Sequence, residues 1–249
     1  MKHKKKLLIV IPSDLYIRNY IKTGVFTDLE DKYDCHYIAN SKLTIRDQLC
    51  SKEKFKGFYT IDENSQKIHQ AIFDTLMWKN RRKSTSFLFR SERITIDFNR
   101  VINGPKSRII LRFFKWLIYK PIAIIKRRLI DIDFFYVFYI SKLKDAVKPN
   151  STLNSIIKDG NYELIILPAS GYAVEGIDIA WICEENNLRC LFLIDNWDNL
   201  SSKTIMWKKP TYIGVWGQQA KEHAENIQDI EDYQINLLGT PRFMSYFEN

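Results

Sequence analysis

Glycine is scarce in this chain, 9 of 249 residues. None of it falls in the spacings that cradle phosphates or expose a nucleophilic serine. There is no GxGxxG, no GxxxxGK[ST] and no GxSxG, which disfavours a standard dinucleotide enzyme, a P-loop NTPase and a serine hydrolase. Cysteine is equally sparse. Cys35, Cys50, Cys183 and Cys190 contain no CxxC pair, so neither a zinc site nor a disulfide framework is expected, and a reducing, cytoplasmic compartment is. The four histidines, His3, His36, His69 and His223, stand apart from one another, and no metal is expected. No apolar run approaches the roughly 20 residues of a membrane-spanning helix. The lysine-rich start followed by Leu7–Pro12 imitates a signal peptide. However, Ser13, Asp14 and Arg18 follow at once without a cleavage site, and the segment reads as a first buried strand.

Acidic excess is missing from the first part and basic excess from the last. From residue 151 onward there are 7 Lys/Arg against 14 Asp/Glu, a balance of −7. The residues up to 150 hold 31 against 15, a balance of +16. The basic character of the whole, +9, thus belongs to the first part alone. Such asymmetry points to an anionic surface as partner, or to solubility charge alone.

Short apolar runs alternate with helical patterns. Strands are expected near 7–12, 35–39, 57–61, 162–167, 189–194, 212–216 and 235–238. Helices are expected over 16–31, 66–82, 107–120, 151–158, 171–187 and 218–227. Ser151 is the expected cap of the 151–158 helix, and Gly160 its stop. This rhythm predicts an α/β fold with a doubly wound, mainly parallel sheet. A long, basic, aromatic stretch from about 65 to 150 interrupts it as a helical insertion.

Three expected strand ends carry polar groups: Pro12-Ser13-Asp14, Pro168-Ala169-Ser170-Gly171, and Asp195-Asn196-Trp197-Asp198-Asn199. In a parallel sheet all three loops share the carboxyl edge, where ligands of open α/β sheets bind. Ser170 precedes a helix whose N-terminal amides favour an anion, or it serves as turn chemistry. Asp198 is the candidate general base, with Asp195, Asn199, Lys203, Ser170 and Asp14 as candidate substrate-binding groups. Carboxylates suit polyols because they accept two hydrogen bonds at once. An Asx-turn or helix cap is the competing role for each of them.

Between 107 and 120, Arg108, Arg112 and Lys115 are spaced to share one helix face. Ile109, Ile110, Phe113, Phe114 and Leu117 fall on the other. Pro121 is expected to interrupt this helix. Arg108, Arg112 and Lys115 are the candidate contacts to an anionic membrane surface. A helical layer with a solvated basic rim is the alternative. No nucleic-acid-binding motif accompanies the stretch, so nucleic acid is not expected as a partner.

Three segments occur in a suggestive order: Asp195-Asn196-Trp197-Asp198-Asn199-Leu200-Ser201-Ser202-Lys203, then Val215-Trp216-Gly217 with Lys221-Glu222-His223-Ala224, then Leu238-Gly239-Thr240-Pro241-Arg242-Phe243. Over roughly 190 to 245 the chain resembles bacterial surface-carbohydrate biosynthesis glycosyltransferases of the GT-B fold. The resemblance implies that residues 1–249 form the Rossmann-like, acceptor-side half of that architecture, with the C-terminal donor domain absent. It implies transfer of a sugar from a nucleotide-sugar, held by the missing domain or a partner chain, to a glycan or lipid-linked acceptor. No bound metal or cofactor is implied. The expected location is cytoplasmic, peripheral to the inner face of the cell membrane. Of the site residues, Asp198, Asn199 and Lys203 carry over from the motif, with Asp195 a looser candidate. A non-catalytic membrane-recruiting subunit of a split transferase is the alternative from another class. A CDP-alditol phosphotransferase or nucleotide-sugar epimerase relative is the alternative among enzymes.

Overall fold

The computed structural model describes residues 4–96, 109–169 and 173–246, with side chains omitted at 92–96 and 244–246. By compactness the chain divides into one unit of residues 1–67 and 148–249, and a second of residues 68–147.

The first unit is built on seven strands: β1 (Lys6–Ile11), β2 (Asp34–Asn40), β3 (Phe55–Tyr59), β4 (Leu164–Ala169), β5 (Arg189–Ile194), β6 (Tyr212–Val215) and β7 (Ile235–Leu237). They form one sheet in the order β3-β2-β1-β4-β5-β6-β7. Every pairing is parallel. The chain builds outward from β1 to β3, then returns to the other side of β1 at β4. That reversal makes the fold a doubly wound, Rossmann-like α/β sheet.

Both faces of the central strands are buried, which is why their sequences read as unbroken apolar runs. On one face Leu8, Val10, Ile165, Leu167 and Phe192 meet α8 (Ser151–Asp159) and α9 (Val174–Glu185) through Leu153, Ile157, Ile179 and Ile182. On the other, Leu7, Ile9, Ile11 and Tyr37 meet the segment after β1 through Tyr16, Ile17 and Tyr20. A third cluster joins Ile194, Ile213 and Val215 to α10 (Asn199–Ser202) and α11 (Gln218–Asn226).

Several local expectations are corrected. The single helix over 16–31 is instead α1 (Asp14–Tyr16), a π turn at Ile17–Ile21, and α2 (Thr27–Lys32). The Thr23 hydroxyl donates to the Asn19 carbonyl at 2.9 Å, and Gly24 turns left-handed at φ 69°, which together stop the helix. β3, which follows the short α3 (Asp47–Cys50), begins two residues early and carries a bulge. Phe55 and Phe58 pair with Tyr37 and Ala39, so β3 holds one residue more than β2 between these pairs. Gly57, at φ 110°, supplies the backbone conformation there. Asn150, not Ser151, caps α8: its Oδ1 accepts from the Leu153 amide at 3.0 Å while its Nδ2 donates to the Thr60 carbonyl. An amide side chain at this position joins two elements at once, which a serine hydroxyl one residue later does not reach.

The second unit is helical: the greater part of α4 (Glu63–Lys79), α5 (Thr85–Ile96), α6 (Ile109–Asp131) and α7 (Asp133–Ala146). Its anchor is Trp78, stacked against Arg81 at 4.1 Å and Arg127 at 4.6 Å. The Trp78 indole N–H donates to the Arg127 carbonyl and to Asp131, and Arg81 pairs with Asp131 at 2.8 Å. Pro121 does not interrupt α6, which runs through it for 23 residues. A proline removes one helix hydrogen bond and costs about 3 kcal/mol, a penalty that a long helix packed along one side can absorb. α6 packs along its more polar side. Arg112, Trp116, Lys120, Ala123 and Arg127 are half-buried and Ile130 buried, whereas Ile109, Ile110, Phe113, Phe114 and Leu117 are exposed. The basic contact face expected of Arg108, Arg112 and Lys115 is therefore not presented as such: Arg112 turns inward, Lys115 is exposed, and Arg108 lies outside the described residues.

Gly160 closes α8 for a steric reason. A Cβ there would stand 1.9 Å from the Tyr162 ring, and the Tyr162 hydroxyl is hydrogen-bonded to His36 Nδ1 at 3.0 Å. Gly160→Ala is expected to lower stability by about 1–3 kcal/mol, read as a shifted denaturation midpoint. In a Tyr162→Ala background the same methyl should cost almost nothing; equal costs in both backgrounds would refute the steric account.

Candidate functional site

Parallel strands place every strand end on one edge, and strand order reverses between β1 and β4, the point at which sheets of this kind bind ligands. The loops after β1 and β5 flank it. Residues 170–172, the loop after β4, lie outside the described residues, and Ser170 with them.

Asp195 follows β5 directly and is 5% exposed. Its backbone amide donates to the Ala169 carbonyl at 3.2 Å. The Asn199 amide side chain donates to its carboxylate, and Tyr16, from the segment after β1, is a further hydrogen-bond partner. Burial pushes the Asp195 carboxyl above its ordinary value, against the pull of those hydrogen bonds and of Lys203. Nearby Tyr20 is pushed up as well, by burial first and the Asp195 charge second. Asp195 thus ties the end of β5 to the chain leaving β1, across the intervening β4.

Asp198 lies at the outer side of this loop. It takes no backbone cap; Ser202 Oγ donates to Oδ2 at 3.0 Å and Lys203 Nζ to Oδ1 at 3.3 Å. Both charged side chains retain solvent access. Between the two acids Trp197 holds its indole 53% exposed. The loop beneath is fixed by buried Gln228, which donates to the Leu200 and Thr204 carbonyls at 2.6 and 2.9 Å and accepts from the Met206 amide at 3.0 Å.

The three segments read together in the sequence also meet in space. Trp216 Nε1 donates to the Ile194 carbonyl at 2.9 Å. Phe243 packs edge-on to the Trp216 ring at 5.7 Å, and Arg242 reaches Asn196 Oδ1 at 3.4 Å. Residues 194–203, 215–216 and 242–243 therefore build one wall.

Asp14 belongs to the same edge but has other work. Its carboxylate accepts from the Thr44 and Ile45 amides, each at 3.0 Å, and from the Thr44 hydroxyl at 2.6 Å. These bonds, led by the Ile45 amide, hold its pKa below the ordinary value. They pin the loop after β2 to the loop after β1.

Two features of the edge escaped the sequence reading. One is Trp197, an exposed aromatic between acids, visible in the motif but not singled out there. The other is a buried polar cluster. Glu175, in the first turn of α9, accepts from Asn40 Nδ2 at 2.7 Å at the end of β2. Tyr59 at the end of β3 and Asp178 one turn further along α9 stand beside it. Asp178 Oδ2 accepts from the Asn150 amide at 3.3 Å. Burial, and then the Asp178 charge, push Glu175 up, while Asn40 and Tyr59 pull it down. The signal available was the polar residue ending each strand, Asn40 and Tyr59. What joins them is a helix residue 135 positions beyond Asn40.

Among protein-family models none matches the chain, and no curated protein matches it.

A carboxyl raised in the folded state weakens folding as pH rises. Below the ordinary Glu value of 4.5 both states hold the proton and there is no penalty. Above it the unfolded chain releases the proton first and stability falls. Glu175→Gln keeps an acceptor for Asn40 and removes the charge. Wild type and variant are expected to melt together at pH 4, with the variant melting higher at pH 7. A constant difference at both pH values would show that Glu175 acts through packing alone.

Proposed function

We propose that this chain is the acceptor-side domain of a glycosyltransferase for a bacterial surface polysaccharide, working at the inner face of the cell membrane. The observation that carries the reading is the wall after β5. A buried carboxyl, Asp195, stands behind an accessible carboxylate, Asp198, with Lys203 and the exposed Trp197 beside them. Carboxylates, an amide and a hydroxyl in reach of one another suit a polyol, and an exposed indole offers a flat surface to the apolar face of a sugar ring. Asp198 would orient the attacking hydroxyl or accept its proton. Lys203 would contact the sugar; Asp195 and Asn199, expected as substrate contacts, are buried against one another and would brace the loop from behind, and Asp14 would shape the opposite loop. One sheet furnishes one wall of a cleft. The nucleotide-sugar donor would accordingly be held by a second domain or a partner chain. A membrane-recruiting subunit without catalysis is the second reading, favoured by the exposed apolar residues of α6 and α7.

The chain alone is expected to bind acceptor-type oligosaccharides, seen as saturation transfer to sugar protons, and to lose that signal on Trp197→Ala. Micromolar affinity of the chain alone for a nucleotide-sugar, by calorimetry, would overturn the acceptor-side assignment. With the donor-binding partner present, Asp198→Asn is expected to lower turnover by about 10²- to 10⁴-fold with melting temperature unchanged. Native turnover by this variant would remove Asp198 as the base.

A further inference from the structure

The apolar residues of α6 point away from the protein. Ile110, Phe114, Leu117, Ile118, Ile125 and Leu129 recur at helical spacing and are all exposed, Ile118 and Ile125 at 60% each. The opposite face, Arg112 through Ile130, is the packed one. The pattern continues after the turn at Ile132, with Phe134, Phe135, Val137 and Phe138 exposed on α7. A water-soluble helix does the reverse, and apolar surface gathered along one side marks an interaction site.

We infer that α6 and α7 seat the protein on an anionic bilayer as an in-plane anchor, the outward apolar stripe entering the acyl boundary and the exposed cations Lys115 and Arg128 meeting lipid phosphates. A helix of 23 residues rises about 34 Å, comparable to a bilayer core. Yet cations recur at 112, 115, 120 and 126–128, and no helix among the described residues is long and apolar enough to cross a membrane. The helix therefore lies along the interface, as amphipathic monotopic helices do. Charge selects lipid over a second copy of the chain. Residues 109–146 hold 8 Lys/Arg against 3 Asp/Glu, so two such surfaces would repel, and lysine is depleted from the cores of protein interfaces. Nucleic acid is disfavoured because the outward stripe is largely aliphatic while Arg112 and Arg127 turn inward. The inference rests on the peripheral-membrane part of the reading above and not on sugar transfer.

The test is co-sedimentation of the full chain with phosphatidylcholine vesicles and with phosphatidylcholine:phosphatidylglycerol vesicles, without sugar or nucleotide. The chain is expected to bind the anionic vesicles and to be weakened, not released, by salt. Ile118→Glu with Ile125→Glu should lower binding about tenfold or more at an unchanged melting temperature. Lys115→Glu with Arg128→Glu should lower it less, and only at low salt. If the glutamate pair lowers the melting temperature, Ile118→Ser with Ile125→Ser replaces it. Equal binding to both vesicle types, wild-type binding by the stripe variants, or a lipid-free dimer that those variants dissociate would each overturn the inference. Because no turnover is measured, failure of the transferase reading leaves this result intact, and the converse holds too.

Discussion

The sheet is parallel throughout, and that constraint organises the rest of the first unit. A parallel pair cannot be joined by a tight turn, so each connection must climb back over one face, and it does so right-handedly. Strands laid outward from β1 to β3 send their connections over one face. Strands laid outward in the other direction, from β4 to β7, send theirs over the opposite face. The clusters beneath Tyr16–Tyr20 and beneath α9 lie on these two faces. Where the direction reverses, adjacent loops part in opposite senses, and polar side chains can face one another without filling the gap. Asp195 and Tyr16 meet across that point because the topology brings the ends of β1 and β5 within one strand of each other.

Electrostatics then sorts the carboxylates of this edge by surroundings. Removing an ionised carboxylate from water carries a penalty of several kcal/mol even after relaxation, and hydrogen bonds to the charged form work against it. Asp14 has the bonds without the burial and is held ionised. Asp195 and Glu175 have bonds of similar quality, but burial outweighs them and both retain protons more readily. Asp198 has neither deep burial nor backbone donors; its partners are a hydroxyl and a lysine. Within a few residues the chain thus offers a buried carboxyl raised above its ordinary value and a side chain open to solvent.

The central strands β1, β4 and β5 were legible because burial on both faces leaves their interiors apolar. Leu7–Ile11, Leu164–Leu167 and Leu191–Ile194 announce themselves without any knowledge of partners. The polar loop after β5 was legible for the complementary reason, an abrupt change of chemistry at a strand end. What could not be read depends on residues distant in the chain. Nothing near Asp14 says that Thr44 and Ile45 will saturate it. Nothing near Asn40 says that Glu175 will accept its hydrogen bond. The π turn at Ile17–Ile21 and the bulge at Gly57 change register by a single residue, below what periodicity resolves. The case of α6 differs in kind. Helical spacing identifies which residues share a face, and it did so correctly for Ile110, Phe114 and Leu117. It says nothing of which face turns inward, and the rule that apolar faces do so holds only when water is the surrounding medium.

That exception has a measurable logic. Isolated exposed apolar residues are ordinary on protein surfaces, but a stripe along one helix forgoes the burial that usually stabilises a fold. Fully removing one Ile or Leu side chain from water contributes about 1.5–3 kcal/mol. A lysine near an anionic surface contributes about 1 kcal/mol, and salt erodes it. On these magnitudes the inferred anchor would draw its strength from the apolar stripe of α6 and its lipid preference from Lys115 and Arg128. The inward turn of Arg112 and Arg127 fits the same division. The Arg127 guanidinium stacks on Trp78 and donates to the Ser91 carbonyl at 2.8 Å, contacts that hold α6 to its own unit from behind. With Arg112 and Arg127 turned toward its own unit and its apolar side exposed, α6 has the two-sided arrangement that the inferred in-plane anchor requires.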